Sequence, residues 1–294
     1  MSIAEKKICF SYFEDRRDVL ENLTAEFDAG EITILTGASG CGKSTLLYLC
    51  AGIYPHAAGF LRSGSITVEG REPSKLPPQE RCLLTGMMFQ NPELQFCMDT
   101  VERELIFCLE NICTAPEEIP RRVDEALEFC DIGALKKRSL LSLSGGERQK
   151  VMLACLAAIK PRWLLLDEPF ANIDNASARE IARKLKQMHE ERGTGILAVD
   201  HRLDNWLDIV DRVRIMEKGV LREESLKPAE LEPGLLEELG IIVPCGSYSP
   251  SLSVCKSGET VLELRGLSLR HGENDVLKNL NASFRRGEIC AVVG

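Results

Sequence analysis

At 294 residues, with 44% hydrophobic and 28% charged side chains, the chain has a globular composition and enough length to bury one large core or two modest ones. A formal net charge of −9 lacks the basic balance of a dedicated nucleic-acid binder. No window approaches the roughly 18 uninterrupted apolar residues of a membrane span, and Met1 to Ser11 lacks the apolar core of a secretory signal, so the sequence predicts a cytosolic chain. Its twelve cysteines include no Cys-x-x-Cys pair, which points to reduced thiols used as small core side chains rather than to zinc ligands.

Ile8 to Tyr12 and Leu23 to Phe27 read as short strands, leading to a buried strand over Glu31 to Thr36 that runs into a glycine loop. A helix is predicted from Ser44 to Cys50, with no breaker before Gly52. From Pro92 to about Ala158 helical patterns dominate, notably Val101 to Glu110, Arg121 to Cys130 and Arg148 to Ile159. Trp163 to Leu166 and Gly195 to Val199 are short apolar runs of the kind buried on both faces of a parallel sheet. The expected fold class is therefore α/β, a parallel-sheet core with a helical insertion.

A repeat sets the domain boundaries. Asp18 to Gly37 and Asp275 to Gly294 match at 11 of 20 positions with a constant offset of 257. The expected division is one complete copy over residues 1–226, a linker over 227–258 in which Pro244 to Gly258 shows little periodicity, and the start of a second copy over 259–294. Gly294 is the equivalent of Gly37, so the pattern reads as a tandem cut at its second phosphate loop.

Gly37-Ala-Ser-Gly-Cys-Gly-Lys-Ser44 fits the phosphate-loop pattern. Gly37, Gly40 and Gly42 let the backbone curl so that successive N–H groups, with Ser39, Cys41 and Thr45, surround a phosphate at a helix start. Lys43 would bridge β- and γ-phosphates and Ser44 would ligate Mg²⁺. Leu143-Ser144-Gly145-Gly146-Glu147 holds a capping box, Ser144 to Glu147, and its two glycines also expose donors suited to an anion. Asp167-Glu168 ends an apolar strand, where parallel sheets present ligand-binding groups. There Asp167 would hold Mg²⁺ through water and Glu168 would orient and deprotonate the attacking water. His201 closes the next apolar strand, within reach of a γ-phosphate. Gln90 can reach the metal or the water, and Tyr12 can stack on adenine.

The ordered set Tyr12, Gly37 to Thr45, Gln90, Leu143 to Gln149, Leu164 to Pro169, Ala171 to Asp174 and His201 resembles the ATP-binding-cassette (ABC) ATPases across the whole first copy. Phe89 to Phe96, Thr100 to Phe107 and Leu109 to Asn111 are similar to the energy-coupling-factor subfamily, which includes cobalt and vitamin importers. The resemblance implies a P-loop NTPase nucleotide-binding domain with a parallel core, an antiparallel β subdomain and a helical signature subdomain. It also implies two cassettes clamped head to tail, each ATP lying between one phosphate loop and the other cassette's Leu143 to Glu147, with Asp174 in the D-loop.

Further implied partners are a transmembrane subunit docked near the Gln90 loop and a separate substrate-binding membrane subunit, placing the chain at the cytoplasmic face of the membrane. Ile173 departs from the usual Leu, and Asp200-His201-Arg202 from the usual Thr-His-Asp. The second copy lacks the lysine, signature, carboxylates and switch histidine, and His271 meets the Tyr12 position only with a two-residue gap. The leading expectation is an ATPase subunit powering a vitamin or metal-ion importer, with ATP and Mg²⁺ as cofactors and no nucleic-acid partner. A soluble tandem-cassette translation factor is the competing class. A basic helical tether would favour it, and the linker here is short and acidic.

Overall fold

The computed structural model describes residues 2–232, 234, 258–271 and 274–290. Most of the expected linker, including the stretch from Pro244 to Ser257, lies outside these residues, as do Gly294 and the side chain of His271. Two compact units emerge, Met1–Pro244 and Cys245–Gly294. No helix among the described residues is long and apolar enough to cross a membrane.

In the first unit, β1 (Ser2–Ser11) pairs antiparallel with β2 (Leu20–Asp28), and β3 (Ile32–Thr36) then runs into the glycine loop. After α1 (Lys43–Cys50), β4 (Phe60–Val68) adds to the free side of β1, giving a three-stranded sheet of order β2-β1-β4. Next come α2 (Pro78–Leu84), β5 (Thr85–Met88) and three helices, α3 (Val101–Asn111), α4 (Ile119–Phe129) and α5 (Gly145–Ile159). The chain returns through β6 (Trp163–Asp167), α6 (Asn175–Arg192), β7 (Gly195–Val199), β8 (Arg212–Glu217) and β9 (Val220–Leu226). A six-stranded sheet of order β5-β6-β7-β3-β8-β9 results, parallel except for the β8–β9 pair.

Strand periodicity explains why its central strands are apolar throughout. Successive side chains point to opposite faces, so Leu164 and Leu166 join Ile34, Ile196 and Ala198 in the core beneath the helices. Trp163 and Leu165 join Leu35, Leu197 and Val199 in a second core, closed by α1 and the three-stranded sheet. Each fully buried Leu or Ile contributes about 1.5–3 kcal/mol. Helix α5 is buried from Val151 through Ala158, because other elements pack around it. The amphipathic helices α3 and α4 bury Val101, Leu105 and Leu109, and Val123, Ala126 and Leu127, respectively.

The structure extends and adds to the expected elements. The two N-terminal strands are longer than predicted, and α5 starts at Gly145, not Arg148, because the Ser144–Glu147 box caps it there. The sequence pattern did not identify β4, β5, β8, β9, α2 or α6. Helix α6 is nevertheless well specified: Asp174 caps its start, Ala178, Ile181, Ala182, Leu185 and Met188 form its inner face, and Gly193 at φ 65° ends it.

The second unit is described through β10 (Thr260–His271) and β11 (Asn274–Arg285), an antiparallel hairpin. Its register repeats that of β1 and β2. Leu262–Phe284, Leu264–Ala282, Leu267–Leu280 and Leu269–Leu277 stand where the first hairpin has Ile3–Phe27, Glu5–Ala25, Ile8–Leu23 and Phe10–Leu20. Leu267 and Leu269 are exposed, whereas their counterparts Ile8 and Phe10 are fully buried.

Candidate functional site

The loop from β3 to α1 has glycine where other residues cannot stand. A Cβ on Gly37, at φ 148°, would lie 2.1 Å from the Met216 carbonyl, and one on Gly42, at φ 108°, would lie 2.8 Å from Leu20. The loop thus packs against β8 and β2 while its tip, Ser39 and Gly40, stays exposed. Cys41 is buried beneath the loop, where its N–H donates to the Ala38 carbonyl and its own carbonyl accepts from Gly219. Lys43, buried at the first position of α1, donates to the carbonyls of Gly37 (2.7 Å) and Ala38 (2.9 Å). Tyr12, Val19, Ser39, Gly40, Gly42, Lys43, Ser44, Thr45 and Glu168 line one open cleft of about 330 Å³.

Tyr12 enters that cleft from the end of β1. Its hydroxyl shares a 2.8 Å hydrogen bond with Thr45, and its ring lies edge-on to Phe10 and Tyr54. The loop that follows is held by Arg62, whose guanidinium donates to the carbonyls of Phe13, Glu14 and Arg16 and to the Ser11 hydroxyl, and pairs with Asp18. Sequence reading missed Arg62, which lies in β4, a strand without a clear pattern.

At the C-terminal ends of β6 and β7 the parallel register aligns Asp167 with Val199. Asp167 is almost fully buried; its Oδ1 accepts from Ser44 (2.9 Å) and its Oδ2 from Tyr48 (3.1 Å). Burial raises its carboxyl above the usual value, partly offset by those two donors. Glu168 turns away at φ 46°, a left-handed conformation rare for a non-glycine residue, while its N–H donates to the Val199 carbonyl. That turn presents the carboxylate to two partners: Gln90 donates to Oε2 at 2.8 Å, and His201 Nδ1 lies 3.1 Å from Oε1. Asp200, beside the histidine, is held by the Trp206 indole and the Arg202 N–H, and burial raises its carboxyl.

The structure therefore brings Lys43, Ser44, Gln90, Asp167, Glu168 and His201 together at the C-terminal end of the parallel strands, with Tyr12 lining the same cleft as Lys43, Ser44 and Glu168. Sequence reading missed Tyr48; its signal was the four-residue spacing from Ser44, which puts both on one face of α1.

Residues 143–147 form the cap of α5. The Glu147 N–H donates to the Ser144 hydroxyl at 3.3 Å, and the Ser144 N–H to the Glu147 carboxylate at 2.7 Å. A Cβ on Gly146 would lie 2.7 Å from the Ser177 hydroxyl, and one on Gly145 3.0 Å from the Asn172 carbonyl, so these glycines also permit close approach to the start of α6. Leu143 is buried, whereas Ser144 keeps its side chain exposed. Asp174 accepts from Ala176 and Ser177, bonds that lower its pKa. Arg148 of α5 pairs with Glu93 at 2.7 Å, joining that helix to the loop after Gln90.

A family profile described as ABC transporter matches residues 20–171. YkoD of Bacillus subtilis (strain 168), provisionally named an HMP/thiamine import ATP-binding protein, is 34% identical across 98% of this chain and 58% of its own length. A Treponema denticola protein provisionally named an ABC transporter ATP-binding protein is 31% identical across 99% of this chain and 61% of its own length. The chain thus spans little more than half of these relatives.

Among solved structures, CbiO1 of Clostridium perfringens, part of the ABC transporter complex CbiONQ, superposes with a TM-score of 0.68 at 27% identity, covering 78% of this chain and 89% of that one. A dimeric ATP-binding cassette with bound ADP and Pi shares the fold at 22% identity and a TM-score of 0.67, over 77% of this chain and 98% of its own. The chain belongs to the ABC transporter family, and its first unit has the fold of an ATP-binding-cassette ATPase domain.

Proposed function

We propose that the first unit binds and hydrolyses ATP in this cleft, and that the chain is the ATPase subunit of a membrane importer of the energy-coupling-factor type carrying a vitamin or a metal ion. The observation that carries the reading is Glu168 held between Gln90 and His201, next to Asp167 and in the same cleft as Lys43. Tyr12 would stack on adenine, and Lys43 would exchange its carbonyl contacts for phosphate oxygens. Ser44, Asp167 and Gln90 offer the hard oxygen donors that suit Mg²⁺; when bound, the ion would neutralise phosphate charge. Glu168 would take the proton of the attacking water, with Gln90 orienting that water and His201 fixing the carboxylate and meeting the γ-phosphate.

A second cassette would close the site in trans with Leu143 to Glu147 and Asp174, by two-fold pairing. The transmembrane subunit would dock in a cavity of about 260 Å³ lined by Ile53, Met87, Gln95, Met152, Leu156 and Ile159. Gln95 supports that placement, because its side chain accepts from the Phe89 N–H and donates to the Met87 carbonyl, at the root of the Gln90 loop. The chain would then lie at the cytoplasmic face of the membrane, beside a separate substrate-binding subunit. The name of YkoD supports the importer class, and that of CbiO1, part of an ABC transporter complex, supports a transporter assembly.

The hairpin register supports reading residues 259–294 as the opening of a second cassette after a linker over 227–258. Copurification of the full chain from native membranes with a multispanning protein that stimulates phosphate release tests the importer role. Copurification with ribosomes, and none with a membrane protein, contradicts it.

A further inference from the structure

We infer that Tyr48 is a positioning residue for Asp167: its phenol hydroxyl holds one carboxylate oxygen so that the other stays directed at Ser44 and the divalent cation that pair would share. The inference rests on the ATP and Mg²⁺ reading above and deepens it.

The geometry is specific. Ser44 and Tyr48 lie four residues apart on α1, so both side chains project from one face toward the end of β6. Asp167 receives one donor on each oxygen, Ser44 at 2.9 Å and Tyr48 at 3.1 Å. Rotation of the carboxylate would break both bonds, and its burial denies it water as a substitute.

The phenol is itself braced. Its ring lies edge-on to Tyr54 (centroids 5.3 Å apart, planes at 87°) and to Phe89 (5.6 Å, 77°). Phe89 directly precedes Gln90, which donates to Glu168, and its N–H is held by Gln95. One tyrosine therefore touches the metal-binding carboxylate through its hydroxyl and the loop of Gln90 through its ring. Outer partners of metal-ligating carboxylates typically set metal affinity, and their loss costs roughly 10–100-fold. A phenol that merely satisfied its own hydrogen bond would leave that affinity unchanged.

The test uses the full chain with Glu168→Gln, so that nucleotide is retained, and follows binding of a fluorescent N-methylanthraniloyl ATP in EDTA and across a MgCl₂ titration. Adding Tyr48→Phe keeps the ring contacts and removes only the hydroxyl. The expected result is an unchanged dissociation constant in EDTA and a half-saturating Mg²⁺ concentration raised about tenfold. In an Asp167→Asn background the same substitution should have no further effect on the Mg²⁺ dependence. An identical Mg²⁺ midpoint with and without the hydroxyl overturns the inference, as does equal weakening in EDTA and Mg²⁺, or an undiminished effect in the Asp167→Asn background. If the parent itself shows no Mg²⁺-dependent nucleotide binding, the functional reading falls and this inference with it.

Discussion

Glu5 is a fully buried carboxyl group in the middle strand of the antiparallel sheet, set among Ile3, Ile8, Phe10 and the residues of α1. Its Oε1 accepts from the Cys50 thiol at 2.9 Å, and its Oε2 has no hydrogen-bond partner. Burial pushes its pKa from 4.5 up to about 8, with the Cys50 thiol and the Arg214 charge opposing the shift. Between those pH values the folded chain keeps a proton that the unfolded chain has released, so this group's contribution is complete below pH 4.5 and declines as pH rises through 8. At about 1.4 kcal/mol per pKa unit, the decline between pH 6 and pH 8 is roughly 2 kcal/mol.

Glu5→Gln replaces the carboxyl with an amide that does not titrate. The assay is urea unfolding at pH 6 and pH 8, followed by tryptophan fluorescence. The chain's two tryptophans, Trp163 and Trp206, are fully buried in the first unit and report on it alone. The variant should lose the pH-dependent decline, gaining roughly 2 kcal/mol on the parent between the two pH values. Parallel stabilities of variant and parent at both pH values would refute the reasoning. The equivalent position in the second hairpin is Leu264, which needs no such proton.

Ser144→Arg removes a helix cap worth about 1 kcal/mol and blocks the exposed start of α5; it should abolish dimer-dependent phosphate release while mantATP binding to the monomer persists. Comparable activity per folded molecule would leave capping as the residue's whole role. Arg62→Ala releases the loop between Tyr12 and Val19, and steady-state kinetics should give a KM for ATP raised about tenfold, a loss of ~1.4 kcal/mol, with kcat nearly unchanged. A fall in kcat at constant KM would show that Arg62 acts elsewhere.

How much was legible follows from where the information resides. Glycines at Gly37 and Gly42 are required by local backbone geometry, so the glycine loop between β3 and α1 could be read directly. Strands β6 and β7 were equally plain, because burial on both faces leaves no polar alternation to blur them. The contact between Glu168 and His201 was not legible in its geometry. It depends on the register of Asp167 against Val199 and on the left-handed turn at Glu168, neither of which a motif specifies. Strand β5 spans only Thr85–Met88, and the β4 strand is largely exposed at a sheet edge, so their patterns are short or weak. Helix α6 carried a readable apolar face that motif spacing drew attention away from. Tyr48 belonged to no motif, and only its place on α1 relative to Ser44 gives it meaning.

The central claim is that Glu168 is the base of an ATPase, and its most direct test is phosphate release by Glu168→Gln beside the parent, with ATP binding and molecular size measured in the same samples. General base catalysis contributes roughly 10²–10⁴-fold, so turnover should fall by about 10² or more while ATP binding is retained and an ATP-dependent dimer accumulates. Near-normal hydrolysis by the variant would contradict the account.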